Sequence, residues 1–202
     1  MVPRPGSRER PKATRMSGES DKLDTEPLAI AHFAKDSRVL DVDAFRARHG
    51  DRFLVHRGPL APARRVKQPQ RTAIMMIPGP LELAPTVGPP LGADLLVFPL
   101  RKTGRSAFPQ MITVGRTKNN DVVLPDVMIS KFHAFFKEEN GKLICQDADS
   151  RNGSFVGGKP AGSTQRGKGL EVGPGAIVKF ALLEFWFVNG KDLLELVRRS
   201  SP

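Results

Sequence analysis

Between residues 93 and 190 the chain is cut into eight short apolar runs: DLLVFPL, QMITVG, DVVLP, KFHAFFKE, KLICQD, SFVG, AIVKFA and LEFWFV. Nothing else in the sequence restricts the fold as much. Runs this short cannot build long helices, but they suit strands, and Val, Ile and Phe pack well on a pleated surface. Turn signals such as ENGK (139–142) separate them. The pattern predicts an all-β sandwich. It also argues against a membrane span, which needs roughly 20 apolar residues. The longest candidate, AIVKFALLEFWFV (176–188), is shorter and contains Lys179 and Glu184.

The first half of the chain has a different texture. Residues 1–25 are dominated by Pro, Arg, Ser, Glu and Lys. With so little apolar surface to offset ordering entropy, they read as a disordered basic arm. Their basic start has no apolar stretch of the kind a secretory signal needs. In 26–57, PLAIAHFAK and DVDAFRARHG have helical spacing, with Asp41 or Asp43 as a cap and Gly50 as a stop. RFLVH then reads as a strand. This small helical or αβ element, of no legible role, is too small to be stable unless it docks on something. Residues 58–92 read as a Pro/Gly-rich linker with one possible strand, TAIMMI (72–77). The β-sandwich occupies 93–190, and 191–202 form a short amphipathic C-terminal helix, KDLLELVRR, and a tail.

The formal charge is +11, and residues 1–71 hold 16 Lys/Arg against 9 Asp/Glu. Such a balance favours polyanions without choosing among nucleic acid, acidic protein and phosphorylated segments. Tyr is absent and aromatics make up only 6%, so a stacking platform for single-stranded nucleic acid is poorly supplied. GSTQRGKG (162–169) imitates a phosphate-binding loop, but Gly169 stands where a magnesium-binding hydroxyl belongs, and no helix follows. The four histidines and the lone Cys145 have no metal-ligand spacing. No nucleophilic triad or carboxylate pair can be assembled. These observations predict a protein that is not an enzyme and needs no cofactor or metal. A single cysteine fits the cytoplasm, and Cys145 reads as a small buried hydrophobe.

Three segments remain: VGRTKNNDVVLP (114–125), VMISKFHAFF (127–136) and DADSRNGSFVGGKP (147–160). Their order and spacing resemble the forkhead-associated (FHA) domain. The resemblance is carried by Gly115-Arg116, Ser130-Lys131-Phe132-His133 and Ser150-Arg151-Asn152-Gly153-Ser154-Phe155-Val156-Gly157, and it spans about residues 93–190. It implies an eleven-stranded FHA-type β-sandwich that binds phosphothreonine peptides through loops at one end. Its partners would be phosphothreonine proteins downstream of Ser/Thr kinases, the kinases themselves included, rather than nucleic acid.

On that resemblance Arg116 is the main phosphate ligand, since a guanidinium fork fits a dianion better than a point charge does. Ser130 offers a hydroxyl donor, and Lys131 or its amide a second contact. Asn152 would grip peptide backbone, and Gly153 would allow the turn presenting it. Gly115 and His133 would support the site, His133 as a strut behind Ser130 and Lys131, with the strand starting near Phe132. Departures from the pattern are Ser154 for Thr, Gly157 for Asn, and Arg151, an extra cation at the rim. The alternative is an FHA-like scaffold with phosphate-independent contacts, its basic arm binding nucleic acid or another polyanion. Thr25, in LDTEP, is a candidate for self-regulation if phosphorylated, because a tether gives high effective concentration.

Overall fold

The computed structural model describes residues 27–60, 92, 94–165 and 167–200. The expected arm, most of the linker with its strand at 72–77, and Thr25 lie outside them.

All eight apolar runs contain a strand. They supply β3 (Leu95–Pro99), β4 (Ile112–Gly115), β5 (Val122–Val123), β6 (Ala134–Glu139), β7 (Lys142–Asp147), β8 (Ser154–Val156), β11 (Ile177–Phe180) and β12 (Leu183–Asn189). RFLVH gives β2 (Arg52–Arg57). Three two-residue strands, β1 (Leu28–Ala29), β9 (Lys159–Pro160) and β10 (Leu170–Glu171), are too short for any periodicity to announce them. All three sit at sheet edges, held by their neighbours. The described residues thus form twelve strands where the resemblance implies eleven. The ENGK turn is a tight hairpin: Glu139 pairs with Lys142, and Asn140 and Gly141 both take positive φ, 51° and 74°.

Two sheets result, one of seven strands in the order β1-β3-β2-β12-β11-β8-β9 and one of five in the order β10-β7-β6-β4-β5. Among the strands of the described residues only β4 and β5 pair in parallel. Between the sheets lies a core including Leu54, Phe98, Phe136, Phe180, Phe185 and Phe187. Alternation along each strand sends its neighbours the other way. Phe53, Val55, Val97, Trp186 and Val188 join a second cluster on the outer face of the larger sheet. That face is covered by a 3-10 turn (Ile30–Phe33), α1 (Ala34–Val39), α2 (Val42–His49) and α3 (Gly190–Ser200), which contribute Phe33, Phe45, Leu193, Leu194 and Val197. Burial on both faces explains why RFLVH and LEFWFV read as unbroken apolar runs.

The sequence reading set 26–57 apart from the sandwich, whereas β2 pairs with both β3 and β12 inside the larger sheet. Asp41, rather than Asp43, caps α2 by accepting from Ala44 N at 2.8 Å, and Gly50 closes it at φ 95°. Arg198 of α3 donates to the carbonyls of Ser37 and Leu40, fastening the two terminal segments together.

Candidate ligand-binding site

The β4–β5, β5–β6 and β7–β8 loops are tied to one another mainly by backbone groups. Arg116 N donates to Ser130 O at 3.0 Å, and His133 N to Val114 O at 2.9 Å. Asn120 Nδ2 donates to Lys131 O at 2.8 Å, and Thr117 Oγ1 lies 2.9 Å from that oxygen. The crossing is so close that a Cβ at Gly115 would stand 2.3 Å from Lys131 O and 2.7 Å from Asn120 Nδ2. Only glycine fits there.

His133 is fully buried and joins two loops. Its Nδ1 accepts from Ser130 N at 3.1 Å, so the ring proton resides on Nε2, which faces Gly153 O at 3.1 Å. Burial lowers its pKa, with the Gly153 bond acting the other way. The imidazole is therefore held neutral.

The third loop is shaped by Asp147, which is buried. Its carboxylate accepts from Ser150 N (2.8 Å), Ser150 Oγ (2.7 Å) and Ser154 Oγ (2.6 Å). Gly153, at φ 75°, donates back to Ser150 Oγ at 3.0 Å. Arg151 N then reaches Ser130 Oγ at 3.2 Å, and Asn152 Nδ2 reaches Met128 O at 2.7 Å. Because Ser130 Oγ accepts this bond, its own proton is available for another acceptor.

These loops line an open cavity of about 380 Å³, where Arg116, Ser130, Lys131 and Arg151 meet Val127, Met128, Ile129 and Phe132. The Nε of Arg116 is buried and has no hydrogen-bond partner among the described residues. A buried charged donor without an acceptor is costly.

The FHA-domain family model matches residues 112–181. The oxoglutarate dehydrogenase inhibitor of Corynebacterium diphtheriae is 34% identical over 110 residues, covering 52% of this chain and 71% of that protein. The chain belongs to the FHA-domain family. The glycogen accumulation regulator GarA of Mycobacterium tuberculosis is 37% identical over 99 residues, 48% of this chain. The chain spans only 59% of that relative's length. The FHA domain of the CT664 protein from Chlamydia trachomatis covers 68% of this chain and 96% of its own, at 19% identity and a TM-score of 0.38.

Within this FHA domain, Arg116, Ser130, Lys131 and Arg151 meet around the cavity. Asn152 stands beside it, bracing the β5–β6 loop through Met128, while Gly115, His133 and Gly153 lie behind. The strand after the site begins at Ala134, so Phe132 stays in the loop and stacks on Phe108 with ring centroids 5.6 Å apart. Sequence reasoning missed Asp147, Asn120 and Thr117, which touch no expected ligand but position the residues that do. Their signals were faint: an Asp three residues before Ser150 and seven before Ser154, and an Asn-Asn-Asp run just after the Gly-Arg pair.

Asp121 shows the same hidden ordering. Burial would raise its pKa, but hydrogen bonds from the Thr113 and Thr103 amides and from Lys102 outweigh burial and bring it to about 2. It thereby clamps the 100–106 segment against β4. Cys145 is buried, which pushes its thiol pKa up and leaves it inert. Among the described residues no group of His, Cys, Asp or Glu could hold a metal ion, and no helix is long and apolar enough to cross a membrane.

Proposed function

We propose that this FHA domain is a non-catalytic module that binds phosphothreonine segments of partner proteins in Ser/Thr kinase signalling, in the cytoplasm. The observation that carries the reading is the convergence of Arg116, Ser130, Lys131 and Arg151 on one cavity, with the Nε of Arg116 buried and without a partner among the described residues. A phosphoester near −2 at neutral pH supplies the acceptors this arrangement lacks. Arg116 would take the phosphate, Ser130 would donate its hydroxyl, and Lys131 would add a second charge-assisted contact. Asn152 keeps one N–H and its carbonyl to hold the peptide backbone alongside. The relatives are named as an inhibitor and a regulator, which suits control by binding rather than by turnover.

The test is a titration with a phosphothreonine peptide library and its dephosphorylated copies, alongside DNA across a salt series. Phosphorylated peptides are expected to bind selectively. Arg116→Ala should weaken them by ~1.5–3 kcal/mol, about tenfold to more than a hundredfold. Equal affinity of wild type and Arg116→Ala would refute the assignment. A steep salt slope on DNA without phosphate discrimination would favour the polyanion scaffold instead.

A further inference from the structure

We infer that Arg151 makes this site select peptides carrying a second anionic group, a carboxylate or another phosphate, within a few residues of the phosphothreonine. The inference rests on the phosphothreonine reading above and extends it to the class of sequence preferred.

Arg116, Lys131 and Arg151 all face one cavity. None of the three forms an ion pair among the described residues. The carboxylates nearest in the chain are committed elsewhere. Asp147 accepts from Ser150 and Ser154, Asp126 accepts from Met128 N, and Asp149 accepts from the Thr164 hydroxyl. One phosphate brings about −1.5 to −2 at neutral pH. Three converging cations therefore keep an excess of positive charge after it binds, and a second anion in the same ligand removes their mutual repulsion.

Geometry says where that anion goes. Arg116 and Ser130 line the cavity, and these belong to the phosphate. Arg151 is exposed at the rim, yet its position is fixed. Its amide is bonded to Ser130 Oγ, and the next residue is braced on Met128 O. Its stem is thus held beside the phosphate position, while its guanidinium can reach outward along a bound peptide. The forked head matches a carboxylate or phosphate in two-point contact. Being exposed, the contact is screened, so its effect is modest and falls with salt.

The experiment uses the full chain and peptides with one phosphothreonine in a neutral background. A glutamate is moved through the three positions on each side, and a further set carries a second phosphothreonine instead. Affinities are measured calorimetrically at fixed ionic strength for wild type, Arg151→Gln and Lys191→Gln. The last variant removes the same charge from α3, away from the cavity, and melting curves establish that each variant is folded. For wild type, at least one glutamate position and the second phosphate are expected to tighten binding about three- to tenfold over the neutral peptide. That ratio should collapse to about one in Arg151→Gln and persist in Lys191→Gln. No gain at any position, a gain that survives Arg151→Gln, or an equal loss in Lys191→Gln would each overturn the inference while leaving phosphothreonine binding intact. If the neutral phosphothreonine peptide itself fails to bind wild type, the underlying reading falls and the inference falls with it.

Discussion

His133 links stability to site geometry through one ring. Its Nε2 donates to Gly153 O and its Nδ1 accepts from the amide of Ser130, and the second bond requires an uncharged imidazole. Protonation would put a hydrogen where Ser130 N–H now points. Because burial lowers the folded-state pKa below the ordinary value near 6.5, the unfolded chain takes up the proton first as pH falls. The stability contribution is therefore complete above that value and is lost as pH drops below it toward the folded pKa. Unfolding titrations between pH 7.5 and 5 should show wild type losing stability faster than His133→Ala. At the upper end the variant should already be weaker by at least ~2 kcal/mol, having stranded a buried amide and a carbonyl. Parallel slopes for the two proteins would show that the ring does not carry this linkage. The motif made His133 conspicuous in the sequence. Its two partners come from different loops, and only folding brings them to it.

At the scale of elements, α3 shows how a correctly read helix can lack a correctly read role. KDLLELVRR is amphipathic by spacing alone, but its partner is not written nearby. Leu193, Leu194, Leu196 and Val197 bury against Phe33, Phe45 and the outer face of the larger sheet, far away in sequence. Leu193 is fully buried, so Leu193→Ala should cost about 2–5 kcal/mol in urea unfolding. The residue belongs to the outer cluster, which contains none of the site residues, so phosphopeptide affinity measured on the folded variant should stay within about twofold of wild type. A large affinity loss together with unchanged stability would mean that α3 serves the site rather than the core. The two-residue strands β1, β9 and β10 were illegible for a related reason. Two residues carry no period, and the neighbouring strand alone decides that they pair.

For the whole molecule, the decisive feature is the place of β2. It lies inside the larger sheet, hydrogen-bonded to β3 on one side and β12 on the other, and both its faces are buried. A chain lacking residues 1–57 would expose the ladders of β3 and β12, and with them the apolar surface under α3. It should be insoluble or molten, with no cooperative thermal transition. A cooperative melt in that truncated chain, with phosphopeptide binding retained, would show that the segment is dispensable. The sequence suggested a separate small element because the intervening Pro-rich stretch breaks the pattern between Arg57 and Asp94. In three dimensions those two residues form an ion pair at the base of one hairpin, and Gly58 N donates to Asp94 O at 3.1 Å.

By itself the sequence determined the eight apolar runs, the turn at Asn140-Gly141, the stop of α2 with two candidates for its cap, and the spacing that gathers Arg116, Ser130 and Asn152 into one family pattern. Those are local properties, set by side-chain period, backbone freedom and hydrogen-bonding chemistry, and they survive being read in one dimension. Tertiary structure alone decided that β2 is an inner strand, that Asp147 and Asn120 shape the loops, and that Arg116 Nε ends buried beside Arg151 and Lys131. Each of these depends on which distant groups meet once two sheets close on a shared core. No local preference encodes such a meeting, because its free energy comes from burial and pairing between segments far apart in the chain.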